Sequence, residues 1–267
     1  MQAINKSIKR IKLLVPNRLN MLRKIIFYLL VRTLCCDALP KLPSFIKVCH
    51  QSDANLPTCI KKSVEELRPL LVKGIPDLDI PSVEPLNISE VVIDQGSGSV
   101  SLRSVYKNIQ VHGPSKFVIK DIKVDLEKDK MRIKLWLPEL EVTCNYSIDG
   151  KILMMPISGA GKSTAKYSNI EATITLRAER VKKGEEIYYN VTDFYVNFDI
   201  GDAKIHLDDL FNGDKDLGEA MNVFLNDNWR QIASEIKPVL EDNIAMIFKK
   251  FANKIFHKYP RNVLIPK

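Results

Sequence analysis

The chain has 267 residues, 45% of them hydrophobic, and carries 40 Lys and Arg against 32 Asp and Glu, a formal net charge of +8. Eight of the basic residues (Lys6, Lys9, Arg10, Lys12, Arg18, Arg23, Lys24 and Arg32) lie in residues 1–38 beside one acid, Asp37, so residues 39–267 hold 32 basic and 31 acidic side chains. A body this close to neutral lacks the cationic excess that nucleic-acid binding requires, and its length is ample for one large core.

Residues 1–38 read as an N-terminal extension and a secretory signal peptide. Arg23-Lys24 precede the apolar run 25–31, and Cys36-Asp37-Ala38 is a small-x-small cleavage site, with Met21 as an alternative start. About ten apolar residues are too few to cross a bilayer that needs about 20, so no stable membrane insertion is expected. Cys35 and Cys36 leave with this leader. In an oxidising compartment Cys49 and Cys59 can close a small loop, whereas Cys144, in the alternating run Leu140, Val142, Cys144, Tyr146, is expected to be buried and unreactive. Sequons at Asn87, Asn145 and Asn190 are compatible with secretion.

Helical spacing of Ile60, Val64, Leu67, Leu70 and Leu71 predicts a first helix over 56–72, stopped at Gly74. Residues 74–86 follow with three prolines among apolar residues, too apolar for a free linker, and are expected to lie extended on the body as a strap. From Ile88 to Leu207 the apolar period is two. Met131, Ile133, Leu135 and Leu137 alternate with polar residues, as do Ile170, Ala172, Ile174, Leu176 and Ala178, with turns expected at Asp149-Gly150, Gly159 to Gly161 and Lys182 to Gly184. The last segment, residues 216–259, returns to steps of three and four (Leu217, Met221, Phe224, Leu225, Trp229, Ile232, Ile236, Val239), predicting one helix of about 43 residues and about 60 Å. Asp216 and Glu219 form a capping-box pattern at its start, and Pro238 should kink it. An antiparallel sheet with one apolar face followed by such a helix packs economically if the sheet curls around it, an α+β single domain over 39–267.

Catalytic and metal chemistry is thin. Residues 159–164 (Gly-Ala-Gly-Lys-Ser-Thr) end like a P-loop, but Pro156 stands where its first glycine belongs, and strand pattern continues after it. His50, His112, His206 and His257 are scattered, and Leu210 and Phe211 occupy positions at which a calcium loop beside Asp208-Asp209 needs oxygen ligands. No Ser lies in a Gly-x-Ser-x-Gly elbow, and no Cys-His nucleophile pair stands out. The expectation is a non-enzyme with no catalytic set, cofactor or metal.

Several segments in this order carry a resemblance: the early pair Cys49 and Cys59, the Gly74-Ile75-Pro76-x-Leu78-x-x-Pro81 strap, the run Gly150-Lys151-Ile152-Leu153-Met154-Met155-Pro156-Ile157-Ser158-Gly159, and the block from Leu210-Phe211-Asn212-Gly213 through Trp229. Over residues 40–258 the chain resembles the insect takeout and juvenile-hormone-binding protein family, and the unpartnered Cys144 makes the takeout-like branch the closer match. The resemblance implies a tubular lipid-binding (TULIP-like) fold, a curved sheet wrapped on a long helix around an apolar tunnel, and with it a secreted carrier of a small hydrophobic ligand such as a terpenoid or fatty acid; a monomer is the separate expectation for its assembly. Phe117, Ile133, Leu135, Tyr146, Phe194, Phe198, Met221, Phe224, Trp229 and Phe248 read on their own as ordinary core; the resemblance makes them candidates for the tunnel wall, with methionines adapting to apolar shapes and tyrosine or tryptophan orienting a polar group. The competing expectation is an extracellular interaction protein whose tunnel is filled by its own side chains, with Trp136 and the outer face of the sheet as partner surface.

Overall fold

The computed structural model describes residues 23–24, 40–96 and 98–267, so the expected leader lies outside the described residues apart from Arg23 and Lys24. The chain divides into two compact units, Met1–Pro40 and Lys41–Lys267, and every element below belongs to the second. Helix α1 (Leu56–Lys73) begins where the Asn55 side chain accepts from the Thr58 N–H and ends at Gly74. Just before it, Cys49 and Cys59 are joined by a disulfide. The strap is not fully extended. Pro76–Leu78 form one 3-10 turn, Asp79 takes a left-handed conformation, and Ile75 bridges Ile80, which turns Ile75 and Leu78 inward at 3% and 4% exposure.

Six antiparallel strands follow: β1 (Leu86–Gln95), β2 (Val100–His112), β3 (Val118–Asp125), β4 (Lys130–Ile152), β5 (Met155–Lys183) and β6 (Glu186–Leu207). Their order is β1-β2-β4-β5-β6, with β3 also on β4. One edge of β4 is shared, its first part pairing with β3 and its later part with β2. Two expected turns are absent: Asp149-Gly150 lies within β4 opposite Arg103 and Leu102, and Gly159 to Gly161 lies within β5 opposite β4. The β4–β5 turn is Leu153-Met154, both at positive φ, the backbone that a two-residue hairpin of this twist needs. Gly159 and Gly161 serve close approach instead. A Cβ on Gly159 would sit 2.9 Å from Leu210 Cα, and one on Gly161 2.6 Å from the Asp208 carbonyl oxygen.

The inward phase changes along one line across the sheet. In β5 the buried positions are Ile157, Ser163 and Ala165, then Ile170, Leu176 and Ala178; in β6 they pass from Val196 to Ala203 and Leu207, while Tyr189 and Val191 are buried beyond a separate irregularity beside Arg177 and Ala178. Pairing lapses at Pro138, Asn169 and Gly201, where Asn169 is left-handed and a Cβ on Gly201 would meet the Asn169 side chain at 2.8 Å. Each strand thus turns its face at the same level, and the concave side stays apolar throughout.

The C-terminal segment is two helices rather than one. α2 (Lys215–Asp227) starts at Asp214, whose carboxylate accepts from the Leu217 N–H, two residues before the expected cap. It ends at Asn228, which leaves helical geometry and donates its side-chain amide to the Phe224 carbonyl at 2.8 Å. α3 (Trp229–Lys258) then runs through Pro238 without a break, and a last turn, α4 (Arg261–Leu264), follows Pro260. α3 rests chiefly on β6 and, at the opposite edge, on β1 and β2, so the sheet is a half-barrel curled around the helix. Helix side chains stand in for a missing strand along β6. Asn222 exchanges hydrogen bonds with Leu207 N and O at 2.8 and 2.9 Å, and Asn226 does the same with Ile205 at 2.8 and 2.7 Å. Four helical residues rise about 6 Å and two strand residues about 6.6 Å, which is why this spacing fits. Glu241 takes the Phe198 N–H and Asn253 the Val191 N–H farther along.

Candidate ligand-binding site

The middle strands β4 and β5 contribute much less than the sheet edges to packing against α3. Their concave residues show it: Met131, Ile133, Leu135 and Leu137 face inward in register with Leu176, Ile174, Ala172 and Ile170, yet all four remain only half-buried. The same holds on the helix, where of 30 residues only Trp229, Ile232 and Ala245 are buried. Apolar side chains that face each other across a layer and stay accessible are not packed as a solid core packs.

The ten sequence candidates fall into two groups and one outlier. Ile133 lies between Ile122 and Ile174, and Leu135 between Ile119 and Ala172, with Phe194 and Phe198 on the same concave rows of β6. Across from them Phe248 of α3 stacks on Phe194, ring centroids 6.5 Å apart, and Phe251 meets Phe248 edge-on. On the other side of the phase change, Tyr146, Met221 and Phe224 join Ile148, Leu225 and Ile232 in a packed cluster. Trp229, 8% exposed, follows Phe224 at the start of α3 under the Arg230 guanidinium. Phe117 stands apart from both groups, beneath the Arg68 guanidinium of α1 at 4.0 Å.

Two features were missed from sequence. The first is a cavity of about 190 Å3 at the α1 end, walled by Leu42, Ile46, Leu67, Ile75, Leu78 and Ile255 among others, none of them a sequence candidate. Its walls come from the N-terminal segment, α1, the strap, and the ends of α3 and α4; the apolar strap was the one signal pointing to it. The second is a set of phenols on the concave side. Tyr106 lies directly opposite Tyr146. Burial pushes the Tyr106 hydroxyl up, with the nearby Ser104 hydroxyl working the other way, and burial pushes Tyr167 up more strongly, reinforced by Tyr106 and Cys144. Both phenols nonetheless keep accessible surface. Tyr146 is spoken for: burial, with Asp209 and Asp208 nearby, pushes its hydroxyl up to about 12, and it donates to the Asp208 carbonyl at 2.5 Å.

Nothing here is arranged for bond chemistry. Cys144 is half-buried rather than buried as expected, and partial burial pushes its thiol up despite a hydrogen bond from Ser163, which keeps it protonated and unreactive. Residues 159–164 continue as strand, with no loop to cradle a phosphate. Each histidine has its own separate partner: Lys267 O for His50, Glu84 for His112, Asp208 for His206 and Asn190 for His257. Among the described residues, the Cys and Asp grouping closest to metal spacing is Cys49, Asp53 and Cys59, and its sulfurs are bonded to each other. No helix among the described residues is long and apolar enough to cross a membrane.

Residues 27–266 match the family model of the haemolymph juvenile hormone binding protein. The circadian clock-controlled protein daywake of Drosophila yakuba is 27% identical over 232 residues, spanning 84% of this chain and 88% of that protein. A putative beta-carotene-binding protein of Schistocerca gregaria is 21% identical over 223 residues, 83% of this chain and 88% of the relative. The crystal structure of Takeout 1 from Epiphyas postvittana superposes with a TM-score of 0.70 at 28% identity, covering 83% of this chain and all of that one.

Proposed function

Because the chain belongs to the haemolymph juvenile hormone binding protein family, whose members are binding proteins and not enzymes, we propose that it is an extracellular carrier enclosing one small elongated lipophile between the curled sheet and α3. The coarse activity, carriage of a hydrophobic ligand, goes with the family and with the beta-carotene-binding relative. Secretion rests on the leader pattern of residues 1–38, and the binding mode rests on the concave wall. The observation that carries the proposal is the half-buried state of Met131, Ile133, Leu135 and Leu137 opposite a helix that leans on the sheet's edges.

The cavity of about 190 Å3 is smaller than the ~300–1,000 Å3 of typical ligand sites. A terpenoid or fatty-acid chain therefore enters at the α1 end and extends along the wall past Phe194 and Phe248, with Tyr106 and Tyr167 as the polar groups within reach of an oxygen on the ligand. Burying roughly 300 Å2 of ligand at about 25 cal/mol per Å2 contributes about 7 kcal/mol before ordering costs, enough for affinity near the micromolar range. The packed cluster around Tyr146, Met221 and Leu225 favours a second reading, a self-filled interaction protein, only if it extends the whole length of the wall.

Mass spectrometry of the organic extract from natively secreted protein, compared with Leu135→Trp, separates the two. A stoichiometric apolar compound in wild type, absent from a folded Leu135→Trp, is the expected result. An empty wild type that also refuses a panel of fluorescent lipids would overturn the carrier proposal.

A further inference from the structure

On the convex face of the sheet, away from α3, Lys123, Lys130 and Arg132 surround a hollow of about 150 Å3 whose other walls are Val124 and Asp125. The strand register sets Lys123 of β3 directly opposite Arg132, whereas Lys130 lies between Asp125 of β3 and Arg177 of β5. Like charges opposed across strands weaken a sheet, so folding alone gives no reason for setting Lys123 against Arg132. Among the described residues, ion pairs engage Arg68, Lys107, Lys128, Lys166, Arg180 and Lys237 but none of these four cations.

Nor do the neighbouring acids neutralise them. The Asp125 carboxylate accepts from the Glu127 and Lys128 N–H groups at 3.2 and 3.0 Å and pairs with the Lys128 ammonium at 3.8 Å. Asp193, opposite Arg177, is engaged by Thr192 and Tyr195, and Asp121 lies one row away opposite Lys134. Arg132 is the least exposed of the four: its Nε is sealed from water with no acceptor, and its other guanidinium nitrogens have no acceptor in the protein either. A buried donor without an acceptor is rare in folded proteins and calls for an explanation.

We propose that this hollow binds a phosphate-class oxyanion, free or carried on a lipid headgroup. A tetrahedral oxyanion presents several acceptor oxygens at once, so it can take a forked pair of hydrogen bonds from Arg132 while Lys123 and Lys130 supply charge. One ligand of this kind accounts for the unpaired cations, the opposed like charges and the orphaned Arg132 donor together. The site lies on the opposite side of β3 and β4 from the ligand wall, so it does not depend on what the concave side holds.

Titration of the full chain with inorganic phosphate, with sodium chloride at matched ionic strength as the screening control, tests the site by NMR shifts of the β3 and β4 amides. Saturable, one-to-one shifts confined to residues around 123–132 are expected, and Arg132→Gln should weaken binding about tenfold, the loss of one charge-assisted contact. Lys183→Gln, a cation at the far end of β5, should change nothing. Equal responses to phosphate and chloride, or equal losses from Arg132→Gln and Lys183→Gln, would overturn the proposal in favour of diffuse screening. Sedimentation with phosphatidylcholine vesicles, with and without phosphatidylglycerol, then identifies the source. Arg132-dependent binding to the anionic vesicles alone, displaced by inorganic phosphate, assigns a headgroup; phosphate binding without vesicle binding assigns a free anion.

Discussion

Replacing Asn222 by alanine strikes the contact that joins α2 to the edge of the sheet. Its amide is 7% exposed, accepts from the Leu207 N–H at 2.8 Å, and donates to the Leu207 and Gly218 carbonyls at 2.9 and 3.1 Å. The Gly218 carbonyl sits in a helix and loses little. Leu207, itself 6% exposed, has no further strand beside it, so its N–H and C=O are both left buried and unpaired. At ~1–3 kcal/mol for each orphaned group, Asn222→Ala should cost about 3 kcal/mol, a large share of the ~5–15 kcal/mol that holds a typical domain. Urea unfolding followed by circular dichroism measures it, with an unchanged slope showing that the loss is in stability and not in compactness. Asn222→Asp keeps the acceptor, loses the donor, and should fall between. Asn197→Ala removes a single exposed amide contact to Glu241 and should stay within about 0.5 kcal/mol of wild type. A loss below about 1 kcal/mol for Asn222→Ala would refute the idea that helix amides replace a strand at β6.

Two further outcomes follow from named contacts. The Tyr146 hydroxyl ionises near 10 in the unfolded chain and at about 12 in the fold, so its contribution is complete below pH 10 and lost as pH rises toward 12; Tyr146→Phe should flatten that part of the alkaline unfolding curve, and an identical curve would remove Tyr146 as its source. Opening the Cys49–Cys59 bridge by paired serine substitution releases a sequence separation of 10 residues, worth about 3 kcal/mol by the chain-entropy estimate, and loosens the segment bearing Ile46 and Val48 over the cavity. Thermal unfolding should register the first effect and faster release of a fluorescent lipid the second; a release rate equal to wild type would show that this segment does not gate the cavity.

Elements set by local period were legible in the sequence; those set by meetings between distant segments were not. The α1 helix, the alternating strands and the long apolar C-terminal run all follow from spacing. The break at Asn228 was hidden because Leu225, Trp229 and Ile232 keep the apolar phase across it. Gly159 and Gly161 imitate a turn, since a glycine needed for the close crossing of residues 208–210 looks the same as one needed for a bend. The prolines of the strap argued for extension, but a left-handed Asp79 lets the chain fold back and bury Ile75 and Leu78. For the candidate site, alternation places Ile133, Leu135, Phe194 and Phe198 on one face of their strands, the face the register puts toward α3, while their candidacy as a ligand wall came from the resemblance. The α1-end cavity depends on Leu42 meeting Ile255 and Leu264, contacts that no local pattern encodes. Tyr106 and Tyr167 gave no signal at all, because an aromatic in a strand reads the same whether it faces packed core or open space.

The change of phase at Pro138, Asn169 and Gly201 divides the concave wall into two reading frames, odd positions of β5 pointing inward on one side and even positions on the other. One residue gained or lost within a strand inverts its faces only as far as the next such irregularity. In this sheet the damage stops at the line, so half of the wall can be rewritten wholesale while the other half keeps its lining. Descendants of such a protein can therefore change what they carry by altering strand length in one half, without passing through a form that has lost both.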